Sequence, residues 1–321
     1  MRSCVRALSI WIAVFLFIGS SASAISLNLV PIGSPGNAAD PATGSLYGSV
    51  GYDYSIGTYE VTNAQYAAFL NAKAATDTLG LYNVFMGSAV SQGGIARTGA
   101  PGTFTYAPLA GRADRPVNFV SFYDALRFAN WMSNGEGTGD TETGAYTLDG
   151  GTAIPTNGLT LTRNVGAAGW YLTSEDEWYK AAYYDSGSAS YLAYTTNSNT
   201  LPTCSAPTAT PNRGNCGNAA GGPTNVGSYT GSASSNGTYD QGGNVYEWNE
   251  AIISAAFRGI RGGSYSNSSA RFQSDNRQNT SPAGEFADTG FRLVYVPEPG
   301  TAVLLSMGLV ALGARRRAQK R

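Results

Sequence analysis

Glycine is the feature that most limits what this chain can build. Of 321 residues, 41 are Gly, about 13% against a usual share of roughly 7%. Residues without a Cβ lose the most conformational freedom in regular elements and turn with the least strain. The chain is therefore expected to form short elements joined by many turns. Aromatic residues make up 12% of it, so those short elements have large side chains to bury. The combination reads as compact and turn-rich, not disordered.

The charge distribution narrows the function. The formal net charge is −1, but the basic residues crowd the ends. Arg2 and Arg6 open the chain, and Arg315, Arg316, Arg317, Lys320 and Arg321 close it. The body between carries 13 basic and 20 acidic residues, a net of −7. An acidic body argues against nucleic-acid binding, which needs basic patches to displace counterions. The sequence contains no His. That excludes Ser–His–Asp and Cys–His catalysis, His-ligated metals and imidazole pH switching. Charged residues reach only 13%, well under the typical ~25%, which suits an exported protein.

Both ends read as addresses. Residues 1–24 pair a basic start with an apolar run at 8–18 and the small-residue site Ala22-Ser23-Ala24. This is the layout of a secretory signal peptide cut after Ala24, with a retained anchor as the rival reading. At the other end, Pro297-Glu298-Pro299 precedes the apolar stretch 301–314 and the basic cluster. Fourteen residues are short for a bilayer span, which wants ~20. Tripeptide, apolar segment and terminal Arg run, in that order, resemble the PEP-CTERM sorting signal of Gram-negative bacteria. The resemblance implies an exosortase-type enzyme cutting near the tripeptide. It also implies transient residence in the inner membrane, then delivery to the cell surface or extracellular matrix. A simple tail anchor is the alternative.

Cys4 leaves with the signal peptide, so only Cys204 and Cys216 remain. In an oxidising compartment the pair reads as a disulfide that contributes roughly 2–3 kcal/mol. Two thiolate metal ligands are the rival, with no His or third Cys to complete the site.

The body, residues 25–296, shows no break and reads as one domain. Residues 187–237 and 87–111 read as long loops. Three helices announce themselves. Thr62 and Gln65 form a capping box ahead of Tyr66, Phe69 and Leu70 on one face. A second helix runs from Ser121, with Asp124 at its third position and Phe122, Ala125, Leu126 and Ala129 as its apolar stripe. A third starts at Thr173 or Ser174, with Glu175, Asp176 and Glu177 in the turn the helix dipole favours. Strand-like segments at 51–60 and 115–120 precede the first two, and 244–248, 258–265 and 290–296 read as further short strands. The expected class is α+β with long loops.

Several segments in order then carry a resemblance: Tyr59-Glu60-Val61-Thr62-Asn63; Arg115-Pro116-Val117 through Asp124-Ala125; Leu172 through Trp178; Gly243-Asn244-Val245-Tyr246-Glu247-Trp248; Arg261-Gly262-Gly263-Ser264; and Gly290-Phe291-Arg292. Together, over residues 52–293, they resemble the formylglycine-generating enzyme family, the sulfatase-modifying factors. The resemblance implies a C-type-lectin-like variant fold with little regular secondary structure. It implies calcium held by Asp240, the carbonyls of Gly243 and Val245, and Glu247, an all-oxygen set of the kind calcium prefers. Glu247 paired with Arg261 or Arg292 is the competing reading. Asn218 is the one remnant of the family's other calcium site.

The resemblance also implies what is missing. The family holds copper with two Cys just beyond the GGS motif. Asn267 stands at the first position here, and the second falls near Phe272. Neither suits Cu(I), which prefers soft thiolates, and the iron-dependent relatives need a His cluster. No copper and no formylglycine-generating activity are expected. A Ser264–Lys180 pair and a carboxylate pair drawn from Glu175, Asp176, Glu177 and Glu247 are the other chemistries open to the scaffold. Ser264, Asn267, Arg271, Arg277 and Arg292 are candidates to line a cleft, the arginines equally open to structural ion pairing. The expected function is an exported, non-catalytic module that binds a glycan, peptide or protein. An enzyme of altered, non-copper chemistry and a purely structural matrix protein are the alternatives.

Overall fold

The computed structural model describes residues 24–164 and 169–298. The expected signal peptide up to Ser23, Pro299, the apolar tail segment and the terminal basic cluster lie outside the described residues. In chain order the body forms β1 (Leu29–Ile32), β2 (Tyr54–Gly57), α1 (Asn63–Lys73), α2 (Phe85–Ser88), β3 (Ile95–Thr98), β4 (Thr105–Pro108) and α3 (Phe122–Ser133). There follow β5 (Gly169–Leu172), α4 (Glu175–Tyr183), β6 (Tyr184–Asp185), β7 (Ser190–Tyr191), β8 (Thr203–Cys204) and β9 (Arg213–Gly214). The last third contributes β10 (Tyr246–Ser254), β11 (Phe257–Arg261), β12 (Gln278–Thr280), β13 (Thr289–Gly290) and β14 (Leu293–Val296).

Two four-stranded sheets organise these pieces. The first runs β1-β2-β14-β5, antiparallel throughout, and sets the first strand and the last in one sheet. The second runs β12-β11-β10-β13, with β10 and β13 parallel. The chain crosses between sheets over two residues. Gly290 pairs with Glu247 in the second sheet and Leu293 with Leu172 in the first. Phe291 and Arg292 make the crossing and are fully buried. The single strand expected at 290–296 is thus two strands in different sheets.

All three expected helices form with the expected caps. Thr62 and Gln65, and Ser121 and Asp124, close reciprocal capping boxes. In α4 the cap is Ser174, not Thr173, and Glu177 completes its box. Such caps satisfy backbone N–H groups that the first helical turn leaves without partners. Tyr66 and Phe69 of α1, Phe128 and Trp131 of α3, and Phe291 of the sheet crossing pack as one aromatic cluster, with ring centroids 5.3–6.4 Å apart. Edge-to-face and offset pairs at such distances add to the area they bury.

Two readings need correction. Residues 115–120 form no strand. Pro116 makes one isolated bridge to Thr62, and Phe119 sits at φ +56°, so its N–H turns away to the Phe286 carbonyl. Residues 87–111 are not one loop, because β3 and β4 pair within them as an antiparallel hairpin. The long stretch 187–237 is irregular apart from the two-residue strands β7, β8 and β9. Cys204 and Cys216 are joined as a disulfide there, Cα atoms 4.8 Å apart.

Candidate functional site

The RGGS motif makes the turn that leaves β11. Gly262 has φ +94°, and a Cβ on it would lie 2.4 Å from the Gln241 carbonyl oxygen, so only Gly fits. The turn buries Ser264. Its N–H donates to Asn267 Oδ1 at 3.0 Å, and its hydroxyl lies 2.8 Å from the same oxygen and 3.0 Å from Asp288 Oδ2. One hydroxyl proton serves one of these acceptors at a time. The loop is latched from behind, since Gly217 N–H donates to the Asn267 carbonyl and Asn218 N–H to the Tyr265 carbonyl. Asn218 therefore acts through its backbone here. The latch follows directly on disulfide-bonded Cys216.

Phe272 is fully buried under the turn. A Cβ on Gly243, at φ +91°, would meet the Phe272 ring at 2.8 Å and the Asn215 carbonyl at 2.3 Å. The site thus has an amide at Asn267 and a packed ring at Phe272. Beside it lies a shallow groove of about 230 Å³ across the second sheet, with Tyr246, Ile260, Asn279, Phe286 and Asp288 among its lining. Burial raises the Tyr246 hydroxyl pKa, the nearby Arg271 charge works against that, and Asp288 adds to it. Ser264 and Asn267 are therefore brought together behind this groove, reaching its lining through Asp288, and Arg271 lies close enough for its charge to act on Tyr246. Asp288 joins them, and nothing in its sequence spacing marked it.

The other two arginines are committed elsewhere. Arg277 grips both oxygens of Glu175 at 2.6–3.2 Å, and Arg261 shares the same carboxylate at 2.8 Å. Arg292 does not line a cleft. Its side chain is completely buried, with Nε 2.5 Å and Nη2 2.6 Å from the two oxygens of buried Glu247. Its remaining donors reach the carbonyls of Gly57 and Tyr239. Trp178 Nε1 also donates to Glu247, at 2.7 Å. Burial disfavours the Arg292 charge, yet the Glu247 charge and hydrogen bonds hold its pKa above the usual range.

Around this pair sits an excess of acid. Glu60 is buried, with Oε1 accepting from Asn244 Nδ2 and Oε2 without a partner. Burial and then the Asp240 charge push Glu60 well above the ordinary carboxylate range, and Arg292 only partly offsets them. Asp240 accepts from the Gly227 N–H at 2.5 Å and is pushed up to about 6 by burial, against that hydrogen bond and Arg292. Three carboxylates thus share one guanidinium. Asp240 keeps one oxygen free of hydrogen bonds, a hard donor open to a divalent cation, whereas both oxygens of Glu247 already accept from Arg292, the pairing that competes with calcium. Among the described residues, no three acidic or sulfur side chains converge as a metal site by themselves.

The remaining candidate chemistries are not assembled. Lys180 donates to the Ser34 carbonyl at 2.9 Å, not to Ser264. Asp176 accepts from the Gly48 N–H. Glu177 pairs with Arg163, which also holds Glu250. Each acid of the α4 start thus has its own partner.

Comparison with known proteins agrees with this frame. Residues 47–296 match the model of the sulfatase-modifying factor enzyme 1-like domain, and residues 296–318 match the PEP-CTERM protein-sorting motif. No curated protein sequence matches. Among solved structures, variable protein 1 of Treponema denticola is similar at 20% identity and a TM-score of 0.56, over 86% of this chain and 97% of that one. The crystal structure of CarF is similar at 22% identity and a TM-score of 0.53, over 85% of this chain and 99% of that one. At such identities the likeness concerns the fold. The sorting motif indicates an exported protein processed by exosortase-type machinery, while among the described residues no helix is long and apolar enough to cross a membrane. With an α+β body of short elements and a family model spanning most of its length, the chain belongs to the sulfatase-modifying factor enzyme 1-like domain family.

Proposed function

We propose that the protein is an exported, non-catalytic member of its family. It binds a glycan, peptide or protein at the cell surface or in the extracellular matrix, through the groove beside Ser264. The observation that carries this reading is the side-chain chemistry under the RGGS turn. Where the family resemblance calls for two thiolates, Asn267 hydrogen-bonds to Ser264 and Phe272 fills the core. Neither side chain holds Cu(I). What remains is a concave surface combining apolar Ile260 and Phe286 with polar Asn279, Asp288 and Tyr246, a mixture suited to recognition.

Calcium belongs to the same reading. Asp240 and the carbonyls of Gly243 and Val245 would hold it, Glu247 joining them only by releasing an oxygen from Arg292, and its charge would offset the excess of carboxylate around Arg292. Its role would be to stiffen the turn that carries the groove.

The test uses the body, residues 25–296, purified without its two terminal signals. With copper, oxygen and a cysteinyl sulfatase peptide it is expected to give no aldehyde product, and turnover would refute the reading. Screened on glycan and peptide arrays, it is expected to retain specific ligands that Asp288→Asn weakens. Calcium is expected to raise the melting temperature reversibly, and a melting curve indifferent to both calcium and chelator would remove the ion from the scheme.

A further inference from the structure

A second cavity lies away from the RGGS turn, between the end of β2, the first turn of α1 and the 225–226 loop. It measures about 440 Å³, inside the range of small-molecule sites. Its apolar floor includes Val61 and Leu293, both buried. Its polar lining includes Asn28, Tyr59, Asp114 and Asn225. Among the described residues, none of these four side chains has a hydrogen-bond partner, so all four are available to a guest. No Lys or Arg lines the cavity, and both charged residues that do, Glu60 and Asp114, are acidic.

These features together select a class of guest. An apolar floor beneath unpaired amide, hydroxyl and carboxylate groups suits a compact ring bearing several hydroxyls. Such a ligand buries its carbon face and pairs its edges. The uncompensated carboxylate of Asp114 favours a guest bringing a positive charge and disfavours a negative one. We propose that this cavity is a binding subsite for an amine-bearing monosaccharide unit, with the ammonium group on Asp114 and the ring hydroxyls on Asn28, Asn225 and Tyr59. The proposal rests on the reading of the protein as a ligand-binding module. It names a second site for that role and a chemical class for its ligand.

Three probes of one ring size separate charge from shape: D-glucosamine, D-glucose and D-glucuronate, titrated by calorimetry into the 25–296 body at neutral pH. Glucosamine is expected to bind tightest and glucuronate about tenfold more weakly or worse, the scale of one hydrogen bond to a charged group. Asp114 is exposed and its side chain makes no bond within the protein, so Asp114→Asn preserves the fold. That variant is expected to weaken glucosamine by about the same factor, down to the glucose level. Equal binding of glucuronate and glucosamine, no binding of any of the three, or glucosamine binding untouched by Asp114→Asn would each overturn the assignment. If sugar binding is instead lost with Asp288→Asn and kept with Asp114→Asn, this subsite falls while the groove beside Ser264 keeps its role. Failure of both variants to alter any array ligand would fall on the broader reading.

Discussion

Arg292 and Glu247 show what one residue can hold in place. Both are fully buried, and every donor of Arg292 is engaged by the carboxylate or by backbone carbonyls from the two sides of the body. Removing one member of such a pair leaves the other charged and unpaired. Arg292→Met is therefore expected to destabilise the fold by about 3–5 kcal/mol, more than the pair itself contributes. Adding Glu247→Gln should recover a substantial part, and urea unfolding of the single and double variants measures both. Asp124 gives a different kind of prediction. Burial, and then the Glu285 charge, push its carboxyl up to about 7, against hydrogen bonds from Ser121 and the Arg127 charge. The folded state thus holds the proton more tightly than the unfolded chain, so this group favours folding at low pH. The advantage is lost as pH rises from about 4 through about 7. Asp124→Asn keeps an acceptor for the Ser121 cap and does not titrate. Its melting temperature should gain on that of the wild type across this window, and parallel curves for the two proteins would refute the assignment.

At the level of elements, the capping residues carried the helix starts. Thr62, Ser121 and the acidic run after Ser174 announce their helices because a cap is a local interaction, readable from four consecutive residues. Ser174→Ala should accordingly cost about 1 kcal/mol in chemical denaturation. Thr173→Ala is expected to cost less, since its buried hydroxyl caps nothing. The strands were less legible. The 290–296 run is apolar apart from Arg292, and no local signal shows that Phe291 and Arg292 carry it from one sheet to the other. The β3–β4 hairpin hides in a Gly-rich stretch because its strands are four residues each and bury only Ile95 and Tyr106 fully, which blurs the alternation a strand reading needs. The same divide runs through the site. Ser264 and Asn267 were found from their motif. Asp288, 24 residues further on, meets them only because β13 lies beside β10. The arginines could be read as cleft or ion-pair residues, and which acid each meets is decided by tertiary packing: Glu175 for Arg277, Glu247 for Arg292.

For the whole molecule, the question is whether the body and its tail are independent. The first sheet puts β1 at one edge and β14 inside, between β2 and β5, so the body is closed by its own last strand before the sorting signal begins. Leu293 and Val294 are buried within that strand, whereas Pro297 and Glu298 beyond it are exposed. The described body therefore draws no burial from Pro297 or Glu298. Deleting residues 297–321 should leave the melting temperature unchanged, while deleting 293–321 should abolish folding by opening the sheet between β2 and β5. Fractionation supplies the complementary measurement. The full chain in a host without exosortase-type machinery should sediment with the inner membrane, held by the tail. The 297–321 deletion should appear as soluble, exported protein of the same stability. A deletion that stayed with the membrane would place the anchor in the body, and one that melted markedly lower would show that the tail packs against it.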